Sequence, residues 1–398
     1  MTEETKQAPL KVLMLPSWYL PEGGQFCRNQ AQVLCEMGIQ ADVLANVTIS
    51  IRKYGFLNAL SFIQRPRFVS EDGLTVMRNY HISFPFFKKL DGLWWSWKTF
   101  RLFKKYCKRK GEPDIIHVHS VLWGGYAAYL IKKRMGIPYI ITEHKGIFGM
   151  SCNYAKESFI QWQQPFMEKA FSNASNIIAV SDMQIPKIQT FLTKPVPCVV
   201  VSNVIDTDFF CYQERIRNPN IIRCVCVNGF SYVKGYDVLF PAFDKVCDVI
   251  PNIQLTIVGE DFYGKNFENL WKTVRHKDQC TFKGELDAFG VRDALENADF
   301  YILSSRVEGE PVSTLEALST GLPVVCTEVV PRYVCDESNS IRVAVEDIDQ
   351  LANGIIQMAA DFPKYDAKQI SLRLKEVAGK ETVVRQLLQI YGEIIEKK

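Results

Sequence analysis

The sequence has little that would export the chain or anchor it across a membrane. Its first six residues include two acids where a secretory signal carries cations, and no apolar core follows them. No apolar run approaches the roughly 18 residues that a membrane-spanning helix needs. The net charge is only +3 over 398 residues, so no overall positive field favours nucleic acid. We therefore expect a cytoplasmic protein.

Histidines are scarce, and the twelve cysteines form neither a metal-binding nor a disulfide pattern. The closest cysteine pair, Cys224 and Cys226, alternates along a predicted strand, so both side chains point to one face. No second pair stands at zinc-finger spacing. We interpret the cysteines as small buried hydrophobic residues, and we expect no metal and no cofactor.

Length and pattern together indicate two α/β domains. A chain of 398 residues is too long for one ordinary core. Short runs rich in Val and Ile alternate with amphipathic stretches of helical length, a pattern typical of βα units and parallel sheets. A polar segment with linker composition places the domain boundary near residues 204–220. The predicted strands cover residues 11–16, 40–47, 114–119, 137–142, 175–180, 196–201, 222–227, 253–258, 279–282, 298–303 and 322–326.

Each predicted domain opens with a strand that runs into a glycine-bearing loop. In the first half the loop contains Gly23 and Gly24, and in the second half it contains Gly229 and Gly235. Ligands of open parallel sheets bind beyond the carboxyl ends of the strands. We therefore expect the two sheets to face each other across a ligand-binding cleft.

The most informative segment, 304–325, follows a predicted buried strand. A helix is predicted to begin near Pro311 and to end at Gly321. Its first turn offers unpaired backbone N–H groups and the positive end of the helix dipole, which suits phosphate oxygens. That turn consists of Val312, Ser313 and Thr314.

Two glutamates flank this predicted phosphate seat. Glu308 lies in the loop before it and Glu316 lies within the helix, where each can accept hydrogen bonds from sugar hydroxyls. The arrangement describes a nucleotide-sugar site, although two glutamates alone are more typical of a loop acid and a helix-surface acid. The full pattern resembles the signature of glycosyltransferase family 4 (glycosyl transferases group 1). That signature combines two glutamates eight positions apart with a Leu-Glu-Ala helix that ends in Gly-x-Pro.

The resemblance implies the GT-B fold. In that fold two Rossmann-like domains face each other across a cleft, and a C-terminal helix returns to the first domain. We accordingly expect an acceptor-side domain over residues 1–204, a nucleotide-sugar-binding domain over 205–375, and a returning helix over 376–398.

The resemblance also assigns roles on the donor side. Glu308 is expected to contact the hydroxyls of the donor sugar and Glu316 the ribose, while Lys234 neutralises the diphosphate. The sequence departs from the family pattern at two places. Gly229 stands where the family has an arginine, and Glu310 with Pro311 replaces the more usual Phe-Gly.

On the acceptor side, the family's glycine loop matches the segment that contains Gly23, Gly24 and Arg28. The missing side chains would let the backbone approach the donor phosphate. Asn203 falls at the family's interdomain strand end. We expect Arg28 and Asn203 to line the cleft.

Two histidines end predicted strands on the same side. His119 matches an active-site histidine of the family, so the expected catalytic residues are His119, Lys234 and Glu308. His144 ends the next strand and is a further candidate for the cleft. The alternative, that these are structural histidines, stays open.

The resemblance implies a retaining, metal-independent hexosyltransferase that uses a UDP- or GDP-sugar. The acceptor would be a glycan or a lipid-linked saccharide of bacterial cell-surface polysaccharide synthesis. Three alternatives stay open. They are a nucleotide-sugar epimerase of the same fold, a non-catalytic relative, and a two-lobed sugar-binding protein, which the lack of an export signal disfavours.

One charged segment, 88–110, remains outside the motif. It contains nine cations and one acid, interleaved with Trp94, Trp95 and Trp97. Cations alternating with large aromatics are typical of a helix that lies on an anionic membrane surface. An ordinary domain helix with its aromatics in the core is the alternative, and nucleic acid is disfavoured because no reader motif is present. We expect either a cytoplasmic protein or one held peripherally on the inner face of the plasma membrane.

Overall fold

The computed structural model describes residues 10–21, 23–62, 64–83, 87–148, 161–215, 217–260 and 262–397. The chain divides into two compact units. Unit 1 contains the chain up to Val204 and again from Val384 onward, and unit 2 contains Ile205–Val383. Each unit is a Rossmann-like α/β domain around one largely parallel sheet, which confirms the predicted fold class.

Unit 1 is built on an eight-stranded sheet in the order β3-β4-β2-β1-β5-β6-β7-β8. Every neighbouring pair is parallel except β3 with β4. Strands β1, β5 and β6 are buried along nearly their whole length, as their continuous apolar runs predict. The strands are β1 (Lys11–Pro16), β2 (Gln40–Ser50), β3 (Arg67–Glu71), β4 (Leu74–Ser83), β5 (Ile115–His119), β6 (Tyr139–Glu143), β7 (Asn176–Ala179) and β8 (Cys198–Val200).

The hairpin of β3 and β4 was not predicted from the sequence. The turn between them is Asp72-Gly73, and both residues have positive φ, 47° and 83°. Asp-Gly between two alternating runs is a strong hairpin signal, so the sequence did contain the information. The six strands predicted for this half are confirmed, and β2 extends three residues beyond its predicted end.

The longest helix of unit 1 is the charged segment. Its inner face enters the core, where the Trp95 Nε1–H donates to the Asn46 carbonyl oxygen (2.8 Å) and the Tyr106 hydroxyl donates to Asp42 (2.9 Å). None of the helices in the described ranges combines the length and apolar character needed to cross a bilayer. The helices are α1 (Gln25–Glu36), α2 (Ile51–Tyr54), α3 (Phe56–Ser61), α4 (Lys88–Lys110), α5 (Tyr126–Met135), α6 (Gln164–Asn173) and α7 (Ile185–Gln189).

Unit 2 contains a six-stranded, wholly parallel sheet in the order β11-β10-β9-β12-β13-β14. Its five predicted strands are confirmed, whereas β14 was missed because it is short and carries an arginine. The strands are β9 (Ile222–Val227), β10 (Ile253–Val258), β11 (Cys280–Phe282), β12 (Phe300–Leu303), β13 (Val324–Thr327) and β14 (Ser340–Val343). The helices are α8 (Tyr236–Val249), α9 (Gly264–Thr273), α10 (Ala288–Glu296), α11 (Val312–Ser319), α12 (Ile348–Asp361) and α13 (Ala367–Ala378).

The last helix, α14 (Lys380–Ile395), belongs to unit 1 from Val384 onward. Its Tyr391 is fully buried, and the phenol oxygen forms a 2.6 Å hydrogen bond with Nδ1 of His117 on β5. The other ring nitrogen of His117 lies 2.6 Å from the Thr142 hydroxyl on β6. A residue from the end of the chain thus helps to fix the central strands of unit 1.

Candidate active site

In unit 2 the loops after β9 and β12 touch, because these two strands are neighbours whose carboxyl ends lie at one edge of the sheet. The contact occurs at Gly235, which has a φ of 68°. A Cβ atom at this position would lie 2.2 Å from the Ser304 carbonyl oxygen. Only glycine permits both the conformation and the close approach. The Ser304 hydroxyl donates to the Lys234 carbonyl oxygen (2.9 Å), which joins the loops further.

This contact brings together Lys234 and Glu308, which the sequence analysis assigned from separate motifs. The Lys234 ammonium donates to Oε1 of Glu308 at 2.7 Å. The lysine side chain is one quarter exposed and the glutamate one tenth exposed. A charge-assisted hydrogen bond at this depth holds both groups in place while leaving part of the ammonium accessible.

The helix that follows, α11, begins as predicted after Pro311, and Gly321 lies just past its end with a φ of 82°. One detail of the prediction is wrong. The Thr314 N–H is not free, because it donates to the Pro311 carbonyl oxygen (3.0 Å) in a tightened first turn. Within the described part of the chain, the amides of this turn without a backbone acceptor are those of Val312 and Ser313. The predicted anion-binding turn therefore offers two unpaired backbone amides instead of three.

Hydroxyl groups surround the same turn. The Ser313 Oγ forms a 2.8 Å hydrogen bond with the Tyr301 hydroxyl from β12. The Thr314 Oγ1 is buried without a hydrogen-bond partner among the described residues. This hydroxyl remains available as a donor or an acceptor.

Glu316 lies one turn further along α11. Burial raises the pKa of its carboxyl from 4.5 to about 7, because a carboxylate loses hydration there. A carboxyl group that titrates near neutrality can accept a hydrogen bond from a hydroxyl when it is ionised, and it can donate one to a hydroxyl when it is protonated. The ribose contact of Glu316 stays a prediction.

Arg306, which was not predicted from the sequence, holds this site together. Its guanidinium is almost fully buried and forms two 2.7 Å hydrogen bonds to the carboxylate of Asp237 on α8. It also donates to Glu346 Oε1 (2.6 Å) and to the Tyr232 carbonyl oxygen (2.7 Å), and it stacks 4.0 Å from the Tyr232 ring centroid. These contacts raise the pKa of the guanidinium above its already high value.

Arg306 therefore ties the Lys234 loop to the Glu308 loop from the inside. Its own N–H also donates to the Val233 carbonyl oxygen at 2.7 Å. Glu346, one of its partners, has a φ of 64°, a costly conformation for a non-glycine residue that surrounding contacts must hold. The available sequence signal was a cation close to the end of a buried strand. The three partners of Arg306 come from segments that are distant in the sequence.

In unit 1 the predicted glycine loop lies at the start of α1. Gly24 has a φ of 85°, and a Cβ there would lie 2.5 Å from the Trp18 carbonyl oxygen, while Gly23 (φ 96°) packs against the Trp18 ring. Arg28, predicted to line a cleft, forms an ion pair with Asp72 of the β3–β4 turn. Its charge is therefore partly neutralised within unit 1.

The predicted histidines form one stacked cluster at the ends of β5 and β6. His119 Nδ1 and His144 Nε2 are 2.9 Å apart in a hydrogen bond. The Phe26 ring of α1 stacks on His144 with centroids 3.8 Å apart, and His117 stacks beneath His119 at 4.7 Å. The His119 Nε2 is buried without a partner among the described residues. The hydrogen-bonding capacity of that atom is therefore unused among the described residues.

Burial keeps all three rings neutral at physiological pH. It lowers the pKa of His117 and His144 to about 3 and that of His119 well below 6.5. The neighbouring rings lower the pKa of His119 further, whereas the side chain of Asn203 opposes the decrease at His144. Neutral imidazoles act as hydrogen-bonding groups rather than as fixed charges.

A second residue that the sequence analysis missed, Glu143, anchors this cluster. The fully buried carboxylate accepts from the backbone N–H groups of Val121 (2.9 Å), His144 (3.1 Å) and Lys145 (3.0 Å). Burial raises its pKa despite these donors. Glu143 thus fixes the backbone that carries His144. Its place in a Thr-Glu-His strand end was the only signal.

We predict that Arg306→Lys weakens nucleoside diphosphate binding about tenfold, because a lysine keeps the charge but cannot bridge three partners. Calorimetry on wild type, Arg306→Lys, Lys234→Ala and the double variant measures this. If Arg306 acts through Lys234, it has little further effect in the Lys234→Ala background. An equal loss in both backgrounds would contradict the prediction, and thermal unfolding checks that each variant folds.

We predict that Glu316→Gln changes how stability depends on pH. The folded pKa of about 7 lies above the ordinary 4.5, so the stabilisation from this carboxyl is present below pH 4.5 and is lost as pH rises through 7. Between pH 5 and pH 8 the wild type should lose up to about 3 kcal/mol of unfolding free energy through this carboxyl. Glutamine does not titrate, so the unfolding free energy of the variant should rise by that amount relative to wild type. Urea denaturation at both pH values measures this gain. The exposed control Glu268→Gln should follow wild type, and an equal gain in that control would refute the assignment.

Comparisons with known proteins identify the family of the chain. Residues 23–209 match the family described as Glycosyltransferase Family 4, and residues 213–370 match the one described as Glycosyl transferases group 1. A putative teichuronic acid biosynthesis glycosyltransferase, TuaC of Bacillus subtilis, is 26% identical over 343 residues, covering 80% of this chain and 81% of the relative. Other curated relatives are longer, and the chain spans about half to two thirds of their length.

Solved structures show the same fold. Sucrose-phosphate synthase (tll1590) from Thermosynechococcus elongatus has a TM-score of 0.79 and 18% identity, covering 98% of this chain and 100% of that one. Anabaena Alr3699/HepE in complex with UDP has a TM-score of 0.72 and 15% identity, covering 96% of this chain and 100% of that one. The predicted GT-B fold is thereby confirmed. With both halves of the chain matched, the protein belongs to glycosyltransferase family 4.

Proposed function

We propose that the protein is a retaining glycosyltransferase that moves a hexose from a UDP- or GDP-sugar to a glycan or lipid-linked saccharide. The observation that carries this proposal is the pairing of Lys234 with Glu308 beside the first turn of α11. A cation, a carboxylate and free helix amides within one small region suit a diphosphate with a sugar on each side. The UDP bound by the Anabaena protein and the teichuronic acid role of the Bacillus relative support this donor class and a place in cell-surface polysaccharide synthesis.

In the proposed donor complex, Glu316 accepts a hydrogen bond from the ribose and Glu308 from the hexose. Lys234 and the amides of Val312 and Ser313 stabilise the diphosphate. Thr314 would contribute its hydroxyl instead of its amide. Because Gly229 replaces the second cation of the family pattern, Lys234 carries more of the phosphate charge in this protein.

We propose that the reaction proceeds on one face of the sugar. The bond from the anomeric carbon to the diphosphate oxygen breaks, and a bond to the acceptor oxygen forms on the same side. The acceptor proton passes to the departing diphosphate, so the step needs no protein nucleophile. Fixed donors at the leaving group supply the electrostatic stabilisation.

We assign the acceptor to unit 1. The free His119 Nε2 is the group best suited to bond to a sugar hydroxyl, and His144 holds that ring in place. In the same unit the exposed backbone at Gly23, with Gly24 buried beside it, is proposed to approach the donor phosphate, and Asn203 lies near the His144 ring. Arg28 contributes less than the sequence suggested, because it is paired with Asp72.

An epimerase of the same fold and a non-catalytic relative are the alternatives. An epimerase would convert a UDP-sugar with no acceptor present. A non-catalytic relative would bind the nucleotide sugar without any turnover. Release of the nucleoside diphosphate that depends on an added acceptor separates the transferase from both.

We predict that Lys234→Ala and Glu316→Ala each weaken nucleoside diphosphate binding about 10- to 100-fold, because each loses a charge-assisted or buried hydrogen bond. Calorimetric titration with UDP, GDP and ADP measures the loss. Lys265→Ala, an exposed cation of the same unit, is the matched control and should bind like wild type. Affinities of both site variants within about twofold of wild type would refute this placement of the donor.

We predict that transfer survives chelation by EDTA. The nearest paired acids, Asp206 and Asp208, are engaged by Lys380 (3.0 Å) and Lys375 (3.2 Å), and Asp206 also caps a turn at the Phe209 N–H. In the ranges that the structure describes, no three His, Cys, Asp or Glu side chains converge as metal ligands. Loss of activity in EDTA with recovery in Mg²⁺ or Mn²⁺ would overturn the metal-independent mechanism.

A further inference from the structure

Helix α4 has one face in the core and one face in solvent. Trp95, Leu102, Phe103 and Tyr106 are buried, so the predicted core helix is correct for this half of its surface. The neighbouring tryptophans differ, since Trp94 is 48% exposed and Trp97 is 41% exposed. The three tryptophans of the predicted membrane-surface helix are therefore divided between the two faces.

The outer face begins with an apolar groove. It has a volume of about 620 Å³ and lies along the first half of the helix. Leu90 is 64% exposed and Phe87, just before the helix, is 63% exposed. The groove is lined by Phe87, Leu90, Asp91, Leu93, Trp94 and Trp97.

A cationic pocket of about 310 Å³ adjoins the groove and shares its Trp94–Trp97 wall. The two tryptophan rings stack with centroids 4.9 Å apart. The Lys98 ammonium lies 5.7 Å from the Trp94 ring, and the Arg101 guanidinium lies 4.7 Å from the Trp97 ring. Lys105 completes the pocket. Cations that lie over aromatic faces at the rim of an apolar groove form an amphipathic surface.

The cations continue along this face at helical spacing, from Lys98 to Arg101, Lys105 and Lys108. None of these four is ion-paired with an acid of the described chain. The only acid of α4, Asp91, bonds to the buried His81 at 2.8 Å. The segment 88–110 carries a charge of +8 against +3 for the whole chain, so the remainder is net acidic. Four of the nine cations of α4 thus lie along one face of the helix.

We propose that this face of α4 docks the protein on a membrane rich in anionic phospholipid. The groove and its tryptophans lie at the level of the headgroups, and Lys98, Arg101, Lys105 and Lys108 contact the phosphates. The proposal rests on the proposed function, because such attachment brings unit 1 to a lipid-linked acceptor. Charge argues against a second copy as the occupant, since two such faces would repel each other.

Co-sedimentation with vesicles tests the proposal. The full chain is mixed with phosphatidylcholine vesicles, with or without phosphatidylglycerol, at 0.1 M and 1 M salt. Screening shortens from about 10 Å to about 3 Å between these salt concentrations, so binding must fade. Two variants are compared with wild type, the triple change of Arg101, Lys105 and Lys108 to Gln, and the double change of Trp94 and Trp97 to Ala. We expect wild type to sediment only with the anionic vesicles at low salt, and each variant to partition at least about tenfold less.

Matched controls alter the same chemistry elsewhere. Changing Lys265, Lys272 and Lys368 of unit 2 to Gln removes the same charge, and changing the exposed Tyr263 to Ala removes an aromatic ring. Both controls should sediment like wild type. All substituted positions are surface residues, and circular dichroism melting verifies folding.

Two outcomes overturn the proposal. One is that wild type remains in the supernatant at low salt, and the other is that the unit 2 charge control loses as much binding as the α4 variants. Sedimentation velocity and gel shift on the same samples detect self-association or binding of nucleic acid. If the protein self-associates or binds nucleic acid but does not bind vesicles, this face of α4 is a docking surface for that other partner. Titration with UDP, GDP and ADP is run in parallel. If the protein binds nucleotide but not vesicles, only this inference is refuted. If it binds no nucleotide, the proposed function is refuted.

Discussion

At Gly235 two backbone segments of unit 2 meet with no room for a side chain between them. The contact with the Ser304 carbonyl sets the separation of the loops that follow β9 and β12. Hydrogen bonds from Ser304 to Lys234 and from Arg306 to Val233 hold the same separation on either side. Lys234 and Glu308 meet because they lie on these loops. A larger residue at Gly235 would move the loops apart and break the pair, although neither charged side chain would have changed.

Burial, more than charge pairing, determines the protonation of the candidate site. It raises the pKa of Glu316 toward neutrality and lowers the pKa of His119 and His144 far below it. Both effects favour the uncharged form, which suits hydrogen bonds to sugar hydroxyls. In unit 2 the cations Lys234 and Arg306 are instead paired with carboxylates, Lys234 with Glu308 and Arg306 with Asp237 and Glu346.

The sequence predicted the fold well because its signal is local. Buried strands of parallel sheets are continuous apolar runs, and the helix after Pro311 has clear boundary residues at both ends. Lys234 and Glu308 were each found through a motif, but nothing in either motif states that they touch. Arg306 was missed because its role depends on Asp237, Tyr232 and Glu346, which only folding brings together.

The errors have equally physical causes. The Thr314 amide was predicted to be free, but a tightened first turn of α11 pairs it with Pro311. On α4 the helix itself was predictable, whereas the division between Trp95 and its neighbours was not. One position along a helix rotates a side chain by about 100°, and both faces of α4 contain aromatics. The apolar pattern was therefore too symmetrical to show which face enters the core.

The bond between Tyr391 and His117 has a consequence for biosynthesis. Unit 1 is discontinuous in the chain, so its last helix leaves the ribosome only after all of unit 2 has been made. Domains generally fold as units during synthesis. Unit 2 is therefore able to complete its fold first, while the sheet of unit 1 waits for its final helix. Until Tyr391 arrives, the buried imidazole of His117 lacks one of its two hydrogen bonds, beneath the ring of His119. The order of translation thus delays the assembly of the histidine cluster until all of unit 2 has been synthesised.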